Sequence, residues 1–262
     1  MMITMMMSGC SSSMFFYLLL LLSTCCCFPP GVLPANLIFS NNCGYQVWPG
    51  LSSSSTSAAL STTGFALPVD SQPVSVATPA TWNGRVWGRT GCTATRANLT
   101  CATADCGSGK LECAGAGPSS PATLAEFSIG AVNGQDLYDV SLVSGFNIPI
   151  LVTPGGGGTG PDCKPTGCSA NLSTVCPPEL TVAVGSDDVA CMSACDAFGD
   201  EQYCCRREYG TASKCKPTRY ARFFKSVCPR AYSYPFDDAT STFYCGSSPD
   251  YLITFCASPT TT

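Results

Sequence analysis

The sequence contains no histidine, and only 11% of its 262 residues are charged. The missing histidine excludes a Ser-His-Asp triad, a Cys-His pair and most zinc or haem sites. Any catalysis would have to use carboxylates, Tyr, Lys or Ser. We therefore expect neither a metal ion nor a cofactor. Charged residues make up about 25% of an average soluble domain. Because this chain has less than half of that fraction, few ion-pair networks are expected.

Positive charge is also scarce, since 13 Lys and Arg face 17 Asp and Glu for a net charge of −4. This balance argues against a nucleic-acid binder, which would be basic. In place of charge the chain has 25 Gly, 20 Pro and 20 Cys. Its length allows one or two domains with a buried core. With Leu-rich helical periodicity also missing, we expect mainly β structure with many turns.

The N-terminal segment has the pattern of a secretory signal peptide. Residues 14–22 read MFFYLLLLL, a run too short to span a bilayer and of the right length for the apolar region of a signal. We assign residues 1–35 to the signal, with cleavage between Thr24 and Asn36. A buried hydrophobic strand is the alternative interpretation. A secreted, extracellular protein is expected.

The cysteines are too numerous for an ordinary core. Four of the 20 lie in the predicted signal, at position 10 and positions 25–27, which leaves 16. An even number in a secreted chain predicts disulfides, each contributing about 2–4 kcal/mol in the chain-entropy model. All-thiolate metal sites are the competing interpretation, and spacing alone leaves the connectivity open. Two sequons, at Asn98 and Asn171, fit a glycosylated secreted product.

Two helices are predicted in the cysteine-rich part of the chain. Ser186, Asp187 and Asp188 offer an N-cap and first-turn acids for a helix that carries Cys191 and Cys195 on one face. A second helix is predicted over residues 218–227, because it would have to stop before the proline at 229.

A β-hairpin is predicted over residues 123–143, around the dipeptide Asn-Gly at 133–134. With a two-residue turn there, Glu126 faces Ser141 and Asp139 faces Ser128. Glu126 and Asp139 are then diagonal neighbours on one face, with backbones about 7–8 Å apart. Phe127, Ile129, Tyr138, Val140 and Leu142 point to the other, core-facing side. Two acids on the solvent face of a sheet are also ordinary, and a slip of one residue would separate them.

Several motifs together resemble the thaumatin-like family of plant defence proteins. The run Cys-Ala-Thr-Ala-Asp-Cys-Gly-Ser-Gly-Lys-Leu-Glu-Cys at 101–113 fits most of that family's signature. Further matches are WGRTGC at 87–92, TLAEF at 123–127, SGFNIP at 144–149, YCC at 203–205, RFFK at 222–225 and AYSYPFDDATSTFYC at 231–245. The resemblance covers residues 36–257 and includes all 16 remaining cysteines.

The resemblance implies a mainly β fold with three parts. A thaumatin-like β-sandwich core would comprise residues 36–89, 121–169 and 229–262, a small disulfide loop domain residues 90–120, and a disulfide-rich helical domain residues 170–228. The implied pairing is Cys43–Cys256, Cys92–Cys101, Cys106–Cys113, Cys163–Cys245, Cys168–Cys228, Cys176–Cys191, Cys195–Cys204 and Cys205–Cys215. A monomer is expected.

The resemblance also implies an acidic cleft, which many members acting on fungi line with one Arg, one Glu and three Asp. Matched motif by motif, these positions are Arg89, Glu126, Asp139 and Asp237, with the neighbouring Asp238 as a competitor for the last. The position of the remaining family Asp is occupied by Ser144 in this chain. The cleft has therefore lost one negative charge.

Three functions follow as hypotheses. The preferred one is a defence protein, possibly antifungal in its action, that binds β-1,3-glucan or another wall polysaccharide through the cleft. The second is a weak endo-β-1,3-glucanase with Glu126 and Asp139 as catalytic residues. Arg89 argues against it, because a neighbouring cation favours ionised acids, whereas hydrolysis needs one protonated acid. The third is a non-catalytic interaction module, such as an inhibitor or receptor ligand.

Eight of the 13 basic residues lie at 206–230, interleaved with Tyr220, Phe223 and Phe224. This segment could contact an anionic fungal membrane or phosphomannans of the fungal surface. The alternative is a solvated helix face whose aromatic residues belong to the core.

Overall fold

The computed structural model describes residues 34–96, 98–184, 187–246 and 249–258. The predicted signal peptide lies outside these residues, except for its last two positions. Within the described ranges, no helix combines the length and apolar character needed to cross a bilayer.

Two five-stranded sheets form the framework. The first has the order β10-β9-β14-β1-β3 and the second the order β13-β8-β7-β4-β2. Neighbouring strands are antiparallel except β1 and β14, which run parallel. The strands of the first sheet are β1 (Asn36–Asn41), β3 (Val74–Ala77), β9 (Ile150–Pro154), β10 (Thr166–Cys168) and β14 (Tyr251–Phe255). Those of the second are β2 (Trp48–Ser53), β4 (Asn83–Arg89), β7 (Leu124–Val132), β8 (Gln135–Ser141) and β13 (Phe243–Cys245).

The core lies between the two sheets, and β1 shows the alternation of half-buried and buried residues that a half-covered sheet requires. Leu37 and Phe39 of β1 are completely buried in one cluster with Tyr138 of β8. The rings of Phe127 and Tyr251, one from each sheet, meet edge-on with centroids 5.3 Å apart. The five hairpin residues predicted to face the core are all buried. A β-sandwich is thereby confirmed.

Two smaller cysteine-rich segments flank the sandwich. Residues 90–120 contain the short strands β5 (Thr93–Ala94) and β6 (Leu99–Thr100), which pair with each other. Residues 170–228 contain the hairpin of β11 (Thr181–Val184) and β12 (Asp187–Cys191), the helices α1 (Ala194–Phe198), α2 (Glu201–Cys204) and α3 (Arg219–Val227), and three short 3-10 helices. A further short helix, α4 (Asp238–Ser241), precedes β13. The division into three domains stays a prediction.

One of the two predicted helices is wrong and the other is confirmed. Asp187 and Asp188 lie in strand β12 rather than in the first turn of a helix. The β-branched residues of this hairpin, such as Val182, favour strands over helix. Cys195 is in α1, which begins after Cys191 and is capped by Ser193. Helix α3 forms as predicted, with the Thr218 hydroxyl accepting a hydrogen bond from the Ala221 N–H.

The structure pairs all 16 cysteines of the described residues in the way the family resemblance implies. The Cys43–Cys256 bond joins residues 213 apart in sequence. It lies just beyond the parallel pair of β1 and β14, so it fastens the two ends of the described chain together.

Candidate functional site

Four polar side chains form a row across the second sheet. Arg85 of β4 is paired with Ser52 of β2 on one side and with Glu126 of β7 on the other. Glu126 is in turn paired with Asp139 of β8. Residues in direct register point to the same face of a sheet. The row therefore places one cation and two acids side by side on the face opposite the core.

The pairing of Glu126 with Asp139 corrects the predicted register. Near the Asn-Gly turn, Val132 pairs with Gln135 as predicted, but the register shifts between Ser128 and Val132. The cause is a β-bulge at Gly130, whose φ is 65° and whose N–H donates to the Asp136 carboxylate over 2.8 Å. The two acids are thus direct cross-strand partners, with Cβ atoms about 4.5–5.5 Å apart, rather than diagonal neighbours.

The acid pair lies in the middle of a groove. A cavity of about 520 Å³ on one side is lined by a run of serines, Ser52 to Ser55, together with Asn83 and Ser128. A second cavity, of about 370 Å³, extends towards Ser144 and Tyr232. Arg85, Glu126 and Asp139 line both cavities. A chain lying along the groove would therefore pass over the acid pair with residues on either side.

Asp139 is the most perturbed acid of the groove. Its side chain is only 8% exposed, and burial raises its pKa to about 8, with further increases from the negative charges of Glu126 and Asp238. The carboxyl group is therefore mostly protonated at pH 7. Its Oδ1 atom is buried without a hydrogen-bond partner among the described residues. The oxygen has almost no accessible surface, so a bound ligand can satisfy it only after the side chain turns towards the groove.

Glu126 differs from its partner in its surroundings. Burial raises its pKa as well, but the positive charge of Arg85 lowers it. Arg85 is exposed, and its Nε donates to the Ser52 hydroxyl over 3.4 Å. The pKa of Glu126 is still raised overall, because the charge of Arg85 offsets only part of the effect of burial. Both carboxyl groups are therefore shifted towards the protonated form, and the pKa of Asp139, which has no cation beside it in the row, is shifted to about 8.

Arg89, the arginine that the resemblance places in the cleft, lies elsewhere. It is 1% exposed, and its guanidinium donates to the carbonyl oxygens of Trp48, Pro49, Lys110 and Leu111. It therefore binds the loop segment 90–120 to strand β2. Arg85 occupies the cleft instead. It is four residues earlier on the same strand and the same face, and the pairing of β4 with β7 decides which of the two meets Glu126.

Asp237 likewise does not line the groove, and its neighbour does. The Asp237 carboxylate accepts from the Ser233 N–H and hydroxyl and forms a 2.9 Å ion pair with Lys225. Asp238 lines the second cavity and accepts a 2.8 Å hydrogen bond from the Tyr232 hydroxyl. Ser144 lines the same cavity, as expected. Sequence reasoning missed Tyr232, although it lies in the same motif as Asp238.

The basic segment at 206–230 agrees with the simpler of its two interpretations. Tyr220 and Phe224 are buried, and Phe223 packs against the core. Several of the basic side chains have acidic partners nearby: Arg207 pairs with Glu201, Arg219 with Glu179, and Lys225 with Asp237. A membrane-binding or phosphomannan-binding role for this face stays a prediction.

Comparison with known proteins identifies the family. The model of the Thaumatin family matches residues 41–257. The chain belongs to the thaumatin family. Its fold is also that of a solved laminaripentaose-producing β-1,3-glucanase in complex with laminaritetraose, with a TM-score of 0.53, 12% identity and coverage of 86% of this chain and 98% of that one. At that identity the likeness concerns the fold alone.

Two plant proteins are much more similar in sequence. A glucan endo-1,3-beta-glucosidase of Prunus avium is 52% identical over 229 residues, 86% of this chain and 92% of that protein. A PR5-like receptor kinase of Arabidopsis thaliana is 46% identical over 233 residues, which cover 87% of this chain. The match spans only 35% of the length of the receptor kinase.

Proposed function

We propose that this thaumatin-family chain binds β-1,3-glucan in the groove around Glu126 and Asp139. The observation that carries the proposal is the buried Asp139 carboxyl, which lacks a hydrogen-bond partner on Oδ1 among the described residues and lines the middle of an open groove. A buried polar atom without a partner costs free energy. A ligand hydroxyl placed there would remove that cost.

The chemistry of the groove suits a neutral polysaccharide. Sugar hydroxyl groups both donate and accept hydrogen bonds. Glu126, when ionised, accepts; the protonated Asp139 can donate from one oxygen and accept on the other; and Arg85 donates. The serines of the larger cavity add hydroxyl groups that can donate or accept hydrogen bonds. The name of the Prunus avium relative supports β-1,3-glucan as the polysaccharide.

The biological role belongs to the same proposal. A secreted protein that binds the β-1,3-glucan of fungal walls would act in plant defence, with an antifungal effect. The predicted signal peptide, the 16 paired cysteines and the membership of the thaumatin family support secretion to the apoplast. Disulfides of this number form and persist in oxidising compartments.

Weak endo-β-1,3-glucanase activity is the second candidate, and the direct pairing of Glu126 with Asp139 favours it. Retaining glycosidases hold an acid and a nucleophile with carboxyl groups about 5–5.5 Å apart, close to the spacing of directly opposite residues. Asp139, with its raised pKa, would protonate the leaving oxygen, and Glu126 would act as the nucleophile. A cation still lies in the groove, since Arg85 takes the place expected for Arg89, but it is paired with Glu126, the nucleophile of this scheme, while burial keeps Asp139 protonated.

Retention on insoluble β-1,3-glucan tests the binding proposal. We expect wild-type protein to be retained and Glu126→Gln to lose about tenfold in affinity, since a hydrogen bond to a charged group contributes about 1.5–3 kcal/mol. The matched control is Glu208→Gln, the same substitution at an exposed acid outside the groove. Equal retention of all three proteins would reject the groove and favour a protein-interaction role.

Release of reducing ends from soluble β-1,3-glucan tests the second candidate. Activity that disappears in both Glu126→Gln and Asp139→Asn, but survives in Glu208→Gln, would establish hydrolysis at the acid pair. Retention without any release of reducing ends would leave glucan binding as the function and exclude the glucanase.

A further inference from the structure

A second groove, separate from the acidic one, opens beside the start of β2. Its volume is about 820 Å³, within the range of ligand-binding clefts. It has no lining residue in common with the acidic groove, and none of its described lining residues is charged. The wall contains two aromatic rings, Tyr45 and Trp48, and side chains with amide or hydroxyl groups.

Several side chains of this groove have unused hydrogen-bonding groups. Gln46 and Trp48 are half-buried, yet within the described residues no side-chain hydrogen bond is formed by either. Tyr45 is 47% exposed. Aromatic rings that carry a polar group can cover the apolar face of a sugar ring, while amides bond its hydroxyl groups. The lack of charge fits a neutral sugar rather than an ion.

The sequon residue Asn171 forms part of the wall of this groove. It is exposed, and it caps a short 3-10 helix, with its side-chain oxygen accepting from the Ser173 N–H over 3.3 Å. The other side-chain atom, Nδ2, is the atom to which an N-linked glycan is attached, and it has no hydrogen-bond acceptor among the described residues. A glycan on Asn171 would therefore start inside the groove.

The second sequon provides a contrast within the same molecule. Asn98 is also exposed, but its Nδ2 donates to the Thr100 hydroxyl over 3.1 Å. Asn98 is not among the described residues that line the groove of Asn171. Asn98 lines neither this groove nor the acidic one, so a glycan there serves as the comparison for a glycan at Asn171.

We propose that the groove binds the first sugar residues of an N-linked glycan on Asn171. These sugars pack against the rings of Tyr45 and Trp48 and form hydrogen bonds with Gln46. Because the glycan is tethered at the groove wall, its local concentration there is high, and even weak contacts keep it in place. The attached sugar then covers a partly apolar surface that would otherwise be exposed to water.

Protection of the glycan from an endoglycosidase tests the proposal. The full chain is produced in a secreting eukaryotic host, and glycan release at each sequon is followed by mass spectrometry on native and on denatured protein. We expect release at Asn171 to be slowed by at least about fivefold in the native protein, equivalent to about 1 kcal/mol. Release at Asn98 should be nearly the same in both states.

Variants of the groove decide whether the rings cause the protection. Trp48→Ala and the more exposed Tyr45→Ala should each reduce the protection at Asn171 and leave release at Asn98 unchanged. The proposal is overturned if Asn171 carries no glycan, if native and denatured protein release it equally fast, or if both variants retain full protection.

Tryptophan fluorescence gives an independent readout. The chain has three tryptophans, and Trp82 and Trp87 are completely buried, which leaves Trp48 as the half-buried one. We expect removal of the glycan to shift the emission of wild-type protein to longer wavelength and to have no effect in Trp48→Ala. An unchanged wild-type spectrum, or the same shift in Trp48→Ala, would contradict the binding of the glycan in the groove.

Discussion

At the scale of single residues, burial rather than sequence distance decides which side chains form the groove. Arg85 and Arg89 are four positions apart on the same strand, yet one is exposed beside Glu126 and the other is enclosed by backbone carbonyls. Asp237 and Asp238 are adjacent, yet only the second lines the groove. Motif matching pointed to the segments that border the groove, with Asp238 kept as a competitor for Asp237, but the lining side chain in each segment depends on the local backbone.

Asp139→Asn tests the raised pKa of about 8 through stability. An unperturbed Asp has a pKa near 3.9, so between about pH 4 and pH 8 the folded protein binds more protons than the unfolded chain. The contribution of Asp139 to the free energy of unfolding therefore falls as pH rises through this window. The neutral Asn escapes that loss, and the advantage of the variant should grow to several kcal/mol by about pH 9.

The measurement is the free energy of unfolding of both proteins in denaturant at a series of pH values. Near pH 4 the two should be similar, because Asn resembles the protonated acid in shape. The contributions of titrating groups far from Asp139 cancel in the difference, whereas Glu126 and Asp238 are coupled to it and alter the size of the effect. A difference that stays constant from pH 4 to pH 9 would contradict a protonated Asp139.

At the scale of elements, the β7–β8 hairpin shows what local pattern can and cannot give. The Asn-Gly turn and the alternating apolar residues predict its existence, its turn and its buried face, and all three are confirmed. The bulge at Gly130 could not be predicted, because a shift of two residues keeps the same side chains on the same face. It depends instead on a hydrogen bond to Asp136 and on a glycine that accepts a positive φ.

Gly130→Ala tests whether the bulge aligns the acid pair. The substitution forces an alanine into the left-handed region, which costs about 1 kcal/mol of stability, and a hairpin without the bulge would place Glu126 opposite Ser141. We expect a loss of both stability and retention on β-1,3-glucan. Gly134→Ala is the matched control, since Gly134 also has a positive φ, 79°, but lies in the turn.

The two variants should lose similar stability in denaturant, and only Gly130→Ala should lose glucan retention. If both variants are retained as well as the wild type, the bulge has no part in glucan binding.

At the scale of the whole molecule, the family resemblance predicted far more than composition did. The even number of cysteines predicted a disulfide framework but left its connectivity open, whereas the resemblance implied all eight bonds found in the structure. Pairings such as Cys43–Cys256 join residues so distant in sequence that only the folded chain brings them together. Local signals failed at Asp187 and Asp188, where pairing with β11 overrides the capping pattern.

Removal of single disulfides tests how the framework stabilises the fold. The Cys43–Cys256 bond closes a separation of 213 residues and the Cys195–Cys204 bond one of 9. In the chain-entropy model, replacing the first pair by Ala should cost about 3 kcal/mol more than replacing the second. Unfolding in guanidinium measures both losses. Equal losses would contradict the chain-entropy model, in which a disulfide stabilises the fold by constraining the unfolded chain.

The central claim is that β-1,3-glucan contacts the Glu126–Asp139 pair, and carboxyl carbon NMR tests it most directly. With ¹³C-labelled Asp and Glu, the side-chain carboxyl signals are assigned by Asp139→Asn and Glu126→Gln and followed during titration with a soluble β-1,3-glucan oligosaccharide at constant pH. We predict that the Asp139 and Glu126 signals move together and saturate, while that of the exposed Glu208 stays fixed. Saturable binding of the oligosaccharide that leaves both groove signals unmoved would contradict the account.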